Sequence, residues 1–323
     1  MNRGDILKEE KQFNHDILEA IGIIIFMTIY ALAGIYLFPF NLIFFPIPFI
    51  YLGVRRGLIQ GILSLAVVSI TVLIIVDIPS ALVLILLFSP LVYNISEGIK
   101  SRRKSTEILG LSTAIFFLSV LLFYSVSQNI TGINIMTQLE GSFNQMLDTQ
   151  VEMFKEMGFT NFEILKTAGQ LKGTYRYVLW VFPVITLISS LFISYCNYYL
   201  SIILLRRTGL GIVSIPRFSR FKLPNNTLLG VVVMFIASYI VKGLNLSFAE
   251  PLMLNIVTLI WTMFMAQGLS VLDFMFIKKG LKLPLRVFFL MVIMLILPLG
   301  TFIFFIGAMD NIFNFRKFNR SNA

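Results

Sequence analysis

The segment PIPFIYLGVRRGLIQG, from Pro46 to Gly61, combines three features that an ordinary membrane helix does not. Pro46 and Pro48 cut a short apolar run, so it cannot form one straight helix. Arg55 and Arg56 are the first basic pair inside the apolar region. Gly53, Gly57 and Gly61 recur every fourth residue, which places them along one ridge of a helix. Lipid offers little hydrophobic drive between helices, so close backbone approach at small residues supplies much of the packing. The ridge therefore reads as a packing seam. A broken helix also reads as the wall of a cavity, because irregular backbone at membrane depth persists only where protein or water covers it. Gln60 and Ser64, which follow on the next helix, are then candidate lining residues.

Composition extends this reading to the whole chain. Of 323 residues, 57% are hydrophobic and 13% charged, and the mean hydropathy is +0.87. These values specify an all-α, polytopic integral membrane helix bundle. The net charge of +10 comes from 26 Lys and Arg. They gather in short connections between apolar runs, which is the positive-inside pattern. No basic groove with stacking aromatics lies outside the apolar runs, so nucleic acid is not an expected partner. Cys196 is the single cysteine, so no intramolecular disulfide can form. Richness in Ile, Phe, Lys and Asn suits a bacterial source. The expected location is the bacterial plasma membrane, with the N-terminus in the cytoplasm.

About eight or nine hydrophobic segments follow in order. The first, about 17–37, is long enough to cross a core that needs ~20 residues. Ala31-Leu32-Ala33 resembles a cleavage site, but the lead is acidic and further spans follow, so the helix is read as uncleaved. The second, about 41–52, either crosses at a tilt or re-enters. If it crosses, Arg55 and Arg56 share the side of the N-terminus. Spans at about 57–76, 81–95 and 108–124 come next. The connection Ser96 to Lys104 carries four cations against one carboxylate, which marks it as cytoplasmic.

Residues 127–174 form an extramembrane insertion. Met136, Leu139, Phe143, Met146, Leu147, Val151 and Phe154 make one helical stripe, with Glu140, Asp148, Glu152 and Glu156 on other faces. Thr160-Asn-Phe-Glu163 is a capping box that opens a second short helix. The sixth run, about 175–205, is too long for an upright span. On it Ser190, Ser194, Asn197 and Ser201 fall at i, i+4, i+7 and i+11, a polar stripe that must face protein or water. Interhelical hydrogen bonds account for such a stripe, and so does a substrate-lining face.

The loop from Arg206 to Pro224 has five cations and no carboxylate. Within it Arg217, Phe218, Arg220, Phe221 and Lys222 interleave cations and rings, as in a strap lying on an anionic lipid surface. Docking of a partner or a phosphate-bearing ligand is the alternative. Spans at about 227–241 and 252–277 follow, the latter with Asn255, Gln267 and Asp273. Asp273 is expected to reach towards Lys278 or Lys279 in the basic loop that ends at Arg286. The last run, about 287–308, is interrupted at Leu297-Pro-Leu-Gly300. A single crossing would put Arg316, Lys317 and Arg320 outside, against the positive-inside pattern. Either the break makes a hairpin or the tail is an exception.

The ordered set of features resembles the YybS family of bacterial membrane proteins. It comprises the glycine-bearing early spans, the acidic insertion, the Arg-Arg-Thr-Gly after the sixth run, the strap, Met265-Ala-Gln-Gly268, and Gly307-Ala-Met-Asp-Asn-Ile-Phe-Asn-Phe-Arg316. The resemblance covers nearly the whole chain and brings no active site with it. The N-terminal half is in turn similar in pattern to substrate-binding S components of energy-coupling-factor transporters. That similarity implies a bundle that holds a small ligand near the outer face.

Catalytic chemistry finds no support. His15 is the single histidine, no Walker A sequence occurs, and the spans lack paired carboxylates. No catalytic residue, metal ligand or cofactor is expected. The expected organisation is a bundle over 1–126, the insertion over 127–174 and a second bundle over 175–323. The expected role is a small-molecule carrier or substrate-binding transporter subunit lined by Gln60, Ser64, Ser190, Ser194 and Asn197. The alternative is a non-catalytic scaffold or signalling partner in the cell envelope. Beyond the bilayer, the expected partners are a small-molecule substrate and another membrane protein.

Overall fold

The structure, a computed structural model, describes residues 3–132, 135–209, 217–224, 226–244 and 246–316. The described residues are helical throughout, without strands. Among the described residues, six helices are long and apolar enough to cross a membrane, or up to seven if one bent pair counts as a span. Two shorter apolar helices, Pro39–Arg55 and Thr227–Gly243, bring the hydrophobic segments close to the number read from the sequence. Contacts divide the chain into two units. Unit 1 comprises Met1–Leu171 and Thr186–Ile215, and unit 2 comprises Lys172–Ile185 and Pro216–Ala323.

In unit 1, α1 (Arg3–Tyr36) leads through a 3-10 turn (Pro39–Phe44) into the nine-residue α2 (Ile47–Arg55). The Tyr30 hydroxyl donates to the Asn41 carbonyl at 2.6 Å. At the other end, Glu19 pairs with Arg55 at 2.9 Å and with Arg56 at 2.6 Å. The run thus starts level with the C-terminal part of α1 and ends beside Glu19. It runs antiparallel to the second half of α1, with the Arg55–Arg56 pair towards that helix's N-terminal end. The 3-10 turn contributes ~2 Å of rise per residue, which lets so few residues cover the distance.

The helix stops at Arg56, and α3 (Leu58–Ile75) restarts after Gly57. Gly57 has φ +128°, and a side chain there would meet nothing within 4 Å. It is the turning point, so the three glycines do not lie along one straight ridge. Gly53 and Gly61 instead face each other across the α2–α3 pair. A methyl group on Gly61 would sit 2.6 Å from the Phe49 carbonyl oxygen and 2.9 Å from Gly53 Cα.

Asp77 then caps α4 (Ile78–Leu82) by accepting from the Ser80 N–H at 2.8 Å. A π turn over Val83–Leu87 joins α4 to α5 (Phe88–Lys100). Pro90 lacks an N–H, and the wider turn just before it accommodates the missing rung. α6 (Ser105–Thr131) completes the early bundle. The rings of Phe45, Phe49, Phe88 and Phe116 run through its core, with successive centroids 5.0 to 6.0 Å apart between Phe49 and Phe45, Phe45 and Phe88, and Phe88 and Phe116.

The insertion differs from its sequence reading. α7 (Ile135–Glu156) is the expected amphipathic helix, and Phe143, Leu147, Val151 and Phe154 form its covered stripe. The side chain of Met136 lies outside the described residues. The capping box at Thr160 and Glu163 is present, but it opens no separate short helix. It opens α8 (Asn161–Arg207), 47 continuous residues and so about 70 Å of helix. The long sixth run is the membrane part of this rod.

Unit 2 contains residues 172–185 of α8, then α9 (Thr227–Gly243), α10 (Ala249–Lys278), α11 (Leu283–Leu295) and α12 (Leu297–Phe313). α11 and α12 meet at 113°. Gly300 lies against Trp261, Gly307 against Phe264, and Gln267 bonds Asp310. Position therefore rises together along α10 and α12, and the two helices run parallel. A substituent on Gly268 would run into the Ile303 carbonyl, and one on Gly307 into the Phe264 carbonyl. The end of α12 thus returns to the end of unit 2 where α10 finishes at Lys278. The last run is bent at the Pro298 break, and Arg316 lies beside Ser270 near the basic end of α10. Lys317 and Arg320 lie outside the described residues.

Candidate functional site

Two buried polar constellations stand out, one in each unit. In unit 1, Ser190, Ser194, Asn197 and Ser201 are at most 1% exposed on one face of α8. Ser190 donates back to the Thr186 carbonyl at 2.7 Å. The Asn197 amide nitrogen donates to the Ile43 carbonyl in the 3-10 turn and to the Ile193 carbonyl, each at 2.9 Å. The helix is thereby tied to the broken run. Three oxygens on this face, Ser194 Oγ, Asn197 Oδ1 and Ser201 Oγ, are buried without a hydrogen-bond partner. Such groups normally find protein or ordered water, since each unmet acceptor costs about 1–3 kcal/mol. The neighbouring Tyr198, fully buried, donates to Ser105 at 2.9 Å. Ser64 is buried on α3, while Gln60, one turn earlier, is exposed.

In unit 2 the strap is bolted from behind. Arg217, Phe218, Arg220 and Phe221 are exposed and Lys222 is half-buried, but Ser219 within this stretch and Leu223 just after it are buried. The Arg316 guanidinium donates to the Ser219 carbonyl (2.9 Å), Ser270 Oγ (2.7 Å), the Phe221 carbonyl (2.8 Å) and Asp310 Oδ2 (2.8 Å). Ser270 donates to the carbonyls of Phe218 and Phe221, at 2.7 and 2.9 Å. Gln267 accepts from the Leu223 N–H at 3.2 Å and donates to Asp310 at 2.8 Å. Arg316 and Asp310 show 1% and 0% of their side chains. A buried pair of this kind is tolerated because nearly every donor meets an oxygen. The strap is therefore a fixed turn whose backbone is sewn into the protein interior, rather than a segment simply resting on lipid. Residues 210–216 of the same loop lie outside the described residues.

Asp273 pairs with Arg286 at 2.7 Å, not with Lys278 or Lys279. Asn255 performs a different repair. Pro183 interrupts α8, and the Asn255 amide enters the opened ladder. It accepts from the Val184 N–H at 3.0 Å and donates to the Trp180 carbonyl at 2.6 Å. Val184 and Trp180 are four residues apart, so the side chain occupies the rung that the helix itself would have made.

The sequence reading missed Ser270, Asp310, Asn311 and Arg316 as a group. A signal was present. Met265-Ala-Gln-Gly268 and Gly307 to Arg316 each combine a glycine with amide or charged residues inside an apolar run, and the two segments meet. Two apolar grooves occur in unit 2. One of about 400 Å³ is lined by residues of α9 and by Met253, and one of about 280 Å³ by Trp180, Lys242, Glu250 and their neighbours. Among the described residues, no three of His, Cys, Asp and Glu converge as metal ligands would.

With six or seven helices among the described residues long and apolar enough to cross a membrane, and with buried polar seams, this all-helical chain has the make-up of a multi-pass membrane protein. Residues 20–311 match the family described as Predicted membrane protein (DUF2232), and the chain belongs to that family. It is similar to the uncharacterized protein YybS of Bacillus subtilis (strain 168), with 27% identity over 238 residues, 72% of this chain and 74% of that protein. No solved structure matches.

Proposed function

We propose that the chain is a substrate-binding or carrier subunit for a small uncharged polar molecule, without catalytic activity of its own. The observation behind this reading is the row of buried, unpartnered oxygens at Ser194, Asn197 and Ser201, set beside a broken apolar run. Hydroxyl and amide groups in an apolar surround suit a neutral, hydrogen-bonding ligand, because nothing on that face offsets a charge. The Arg55–Arg56 end of unit 1 then faces the cytoplasm of a bacterial plasma membrane. The test is a thermal-shift screen of neutral metabolites against the full chain in detergent. A compound that raises the midpoint of the native chain, but not of a Ser194→Ala/Asn197→Leu variant, supports the reading. A variant of altered stability with no ligand response in either chain reduces the stripe to packing.

A scaffold role is the second reading. It is favoured by Met157, Phe159, Phe162 and Leu165 at the α7–α8 turn, which are 61%, 47%, 75% and 73% exposed. Phe162→Ser/Leu165→Ser leaves the spans untouched. Under this reading the variant loses a protein that purifies with the native chain.

A further inference from the structure

The carboxylates of unit 2 are Glu250, Asp273 and Asp310. Asp273 is held by Arg286 and Asp310 by Arg316, both inside the protein. Glu250 stands in the first turn of α10, at the opposite end. The end that carries the strap therefore presents Arg217, Arg220, Lys278, Lys279 and Lys282 as exposed cations with no exposed carboxylate among its described residues. Beside the two strap arginines, Phe218 and Phe221 stay 40% and 38% exposed, although three backbone carbonyls of the same turn are pinned. Free loops lose entropy when they bind, and this one has already been ordered by Ser270 and Arg316.

We propose that this face is a preorganised platform for anionic phospholipid headgroups. Arg217 and Arg220 hold the phosphates, and Phe218 and Phe221 enter the boundary between headgroups and acyl chains. Lipid suits the face better than a soluble acidic partner, because the rings stand beside the cations at the end of a membrane-spanning bundle. Arg316 acts as a positioning residue: it fixes the turn and touches no lipid. This assignment is independent of the ligand reading for unit 1.

The test titrates the full chain, in uncharged detergent, with tail-labelled phosphatidylglycerol, using phosphatidylcholine as the neutral control. Each surface cation contributes about fivefold to anionic-lipid affinity, so Arg217→Gln/Arg220→Gln weakens phosphatidylglycerol binding about thirtyfold. Phosphatidylcholine binding stays the same, and Lys242→Gln at the other end of the unit changes neither lipid. At 1 M salt, where screening acts within ~3 Å, the preference disappears. Arg316→Ala weakens phosphatidylglycerol binding with all five exposed cations in place. Should that variant fail to fold, the Arg217/Arg220 pair alone decides. Equal phosphatidylglycerol affinity of the native and Arg217→Gln/Arg220→Gln chains overturns the proposal. Loss of a co-purifying soluble protein with lipid affinity unchanged also overturns it, and assigns the face to a protein instead.

Discussion

Replacing Arg316 by Ala removes four hydrogen bonds at once and leaves Asp310 fully buried against the Gln267 amide. Stranding one member of a buried ion pair costs about 3–5 kcal/mol. The carbonyls of Ser219 and Phe221 lose their guanidinium donor, although Ser270 still reaches Phe221. Release of the strap follows, because its backbone is held mainly from this side. The assay is limited trypsin digestion in detergent, followed by mass analysis of cuts after Arg217 and Arg220, with the thermal midpoint read in parallel. A loss of about 3 kcal/mol in local opening speeds cleavage by on the order of 10²-fold, since cleavage follows the open population. Asp310→Asn/Arg316→Met removes both charges and is expected to cost about 1–3 kcal/mol less than the sum of the single changes. Strictly additive costs, or a strap cut no faster in Arg316→Ala than in the native chain, would refute the bolt.

Further expectations concern backbone contacts and single anchors. Gly307→Ala drives a methyl group into the Phe264 backbone, which cannot yield, and should lower stability by about 1–3 kcal/mol. Gly300→Ala, whose methyl would rest 3.5 Å from the Trp261 ring, should be neutral or slightly stabilising in the same melting experiment. Asn255→Ala leaves the Val184 N–H and the Trp180 carbonyl without their inserted partner; a cost of about 1–3 kcal/mol and faster hydrogen exchange at Val184 are expected. Gly57→Ala must adopt φ +128° in open space, so its cost of about 1–3 kcal/mol is purely conformational. Glu19→Gln loses pairs to two arginines at a half-exposed site, and its effect on the melting midpoint should stay under about 1 kcal/mol and shrink with salt.

Local and periodic features were legible in the sequence. The Thr160 capping box, the α8 stripe and the Pro46–Pro48 break depend on neighbours within a dozen residues, and their spacing carries them. Features that join distant segments were not. The strap sits 44 residues from Gln267 and 97 residues separate Ser219 from Arg316, so its basic, aromatic character gave no sign that its backbone faces inward. Likewise, the polar and apolar halves of α8 read as separate elements because composition changes there while the backbone does not. Gly57 shows a further limit. Spacing of four implies a ridge only while the helix continues, and the positive φ ends it. Asp273 reads in sequence as a helix-end carboxylate reaching Lys278 or Lys279, whereas it is buried against Arg286, a choice that belongs to three-dimensional geometry.

The most direct test of the carrier reading is native mass spectrometry of the chain gently extracted from its host membrane, with the Ser194→Ala/Asn197→Leu variant alongside. A reproducible non-lipid adduct of low mass is expected on the native chain and absent from the variant. An adduct that persists in the variant, or a native chain carrying only lipid or a stoichiometric protein partner, would contradict that reading.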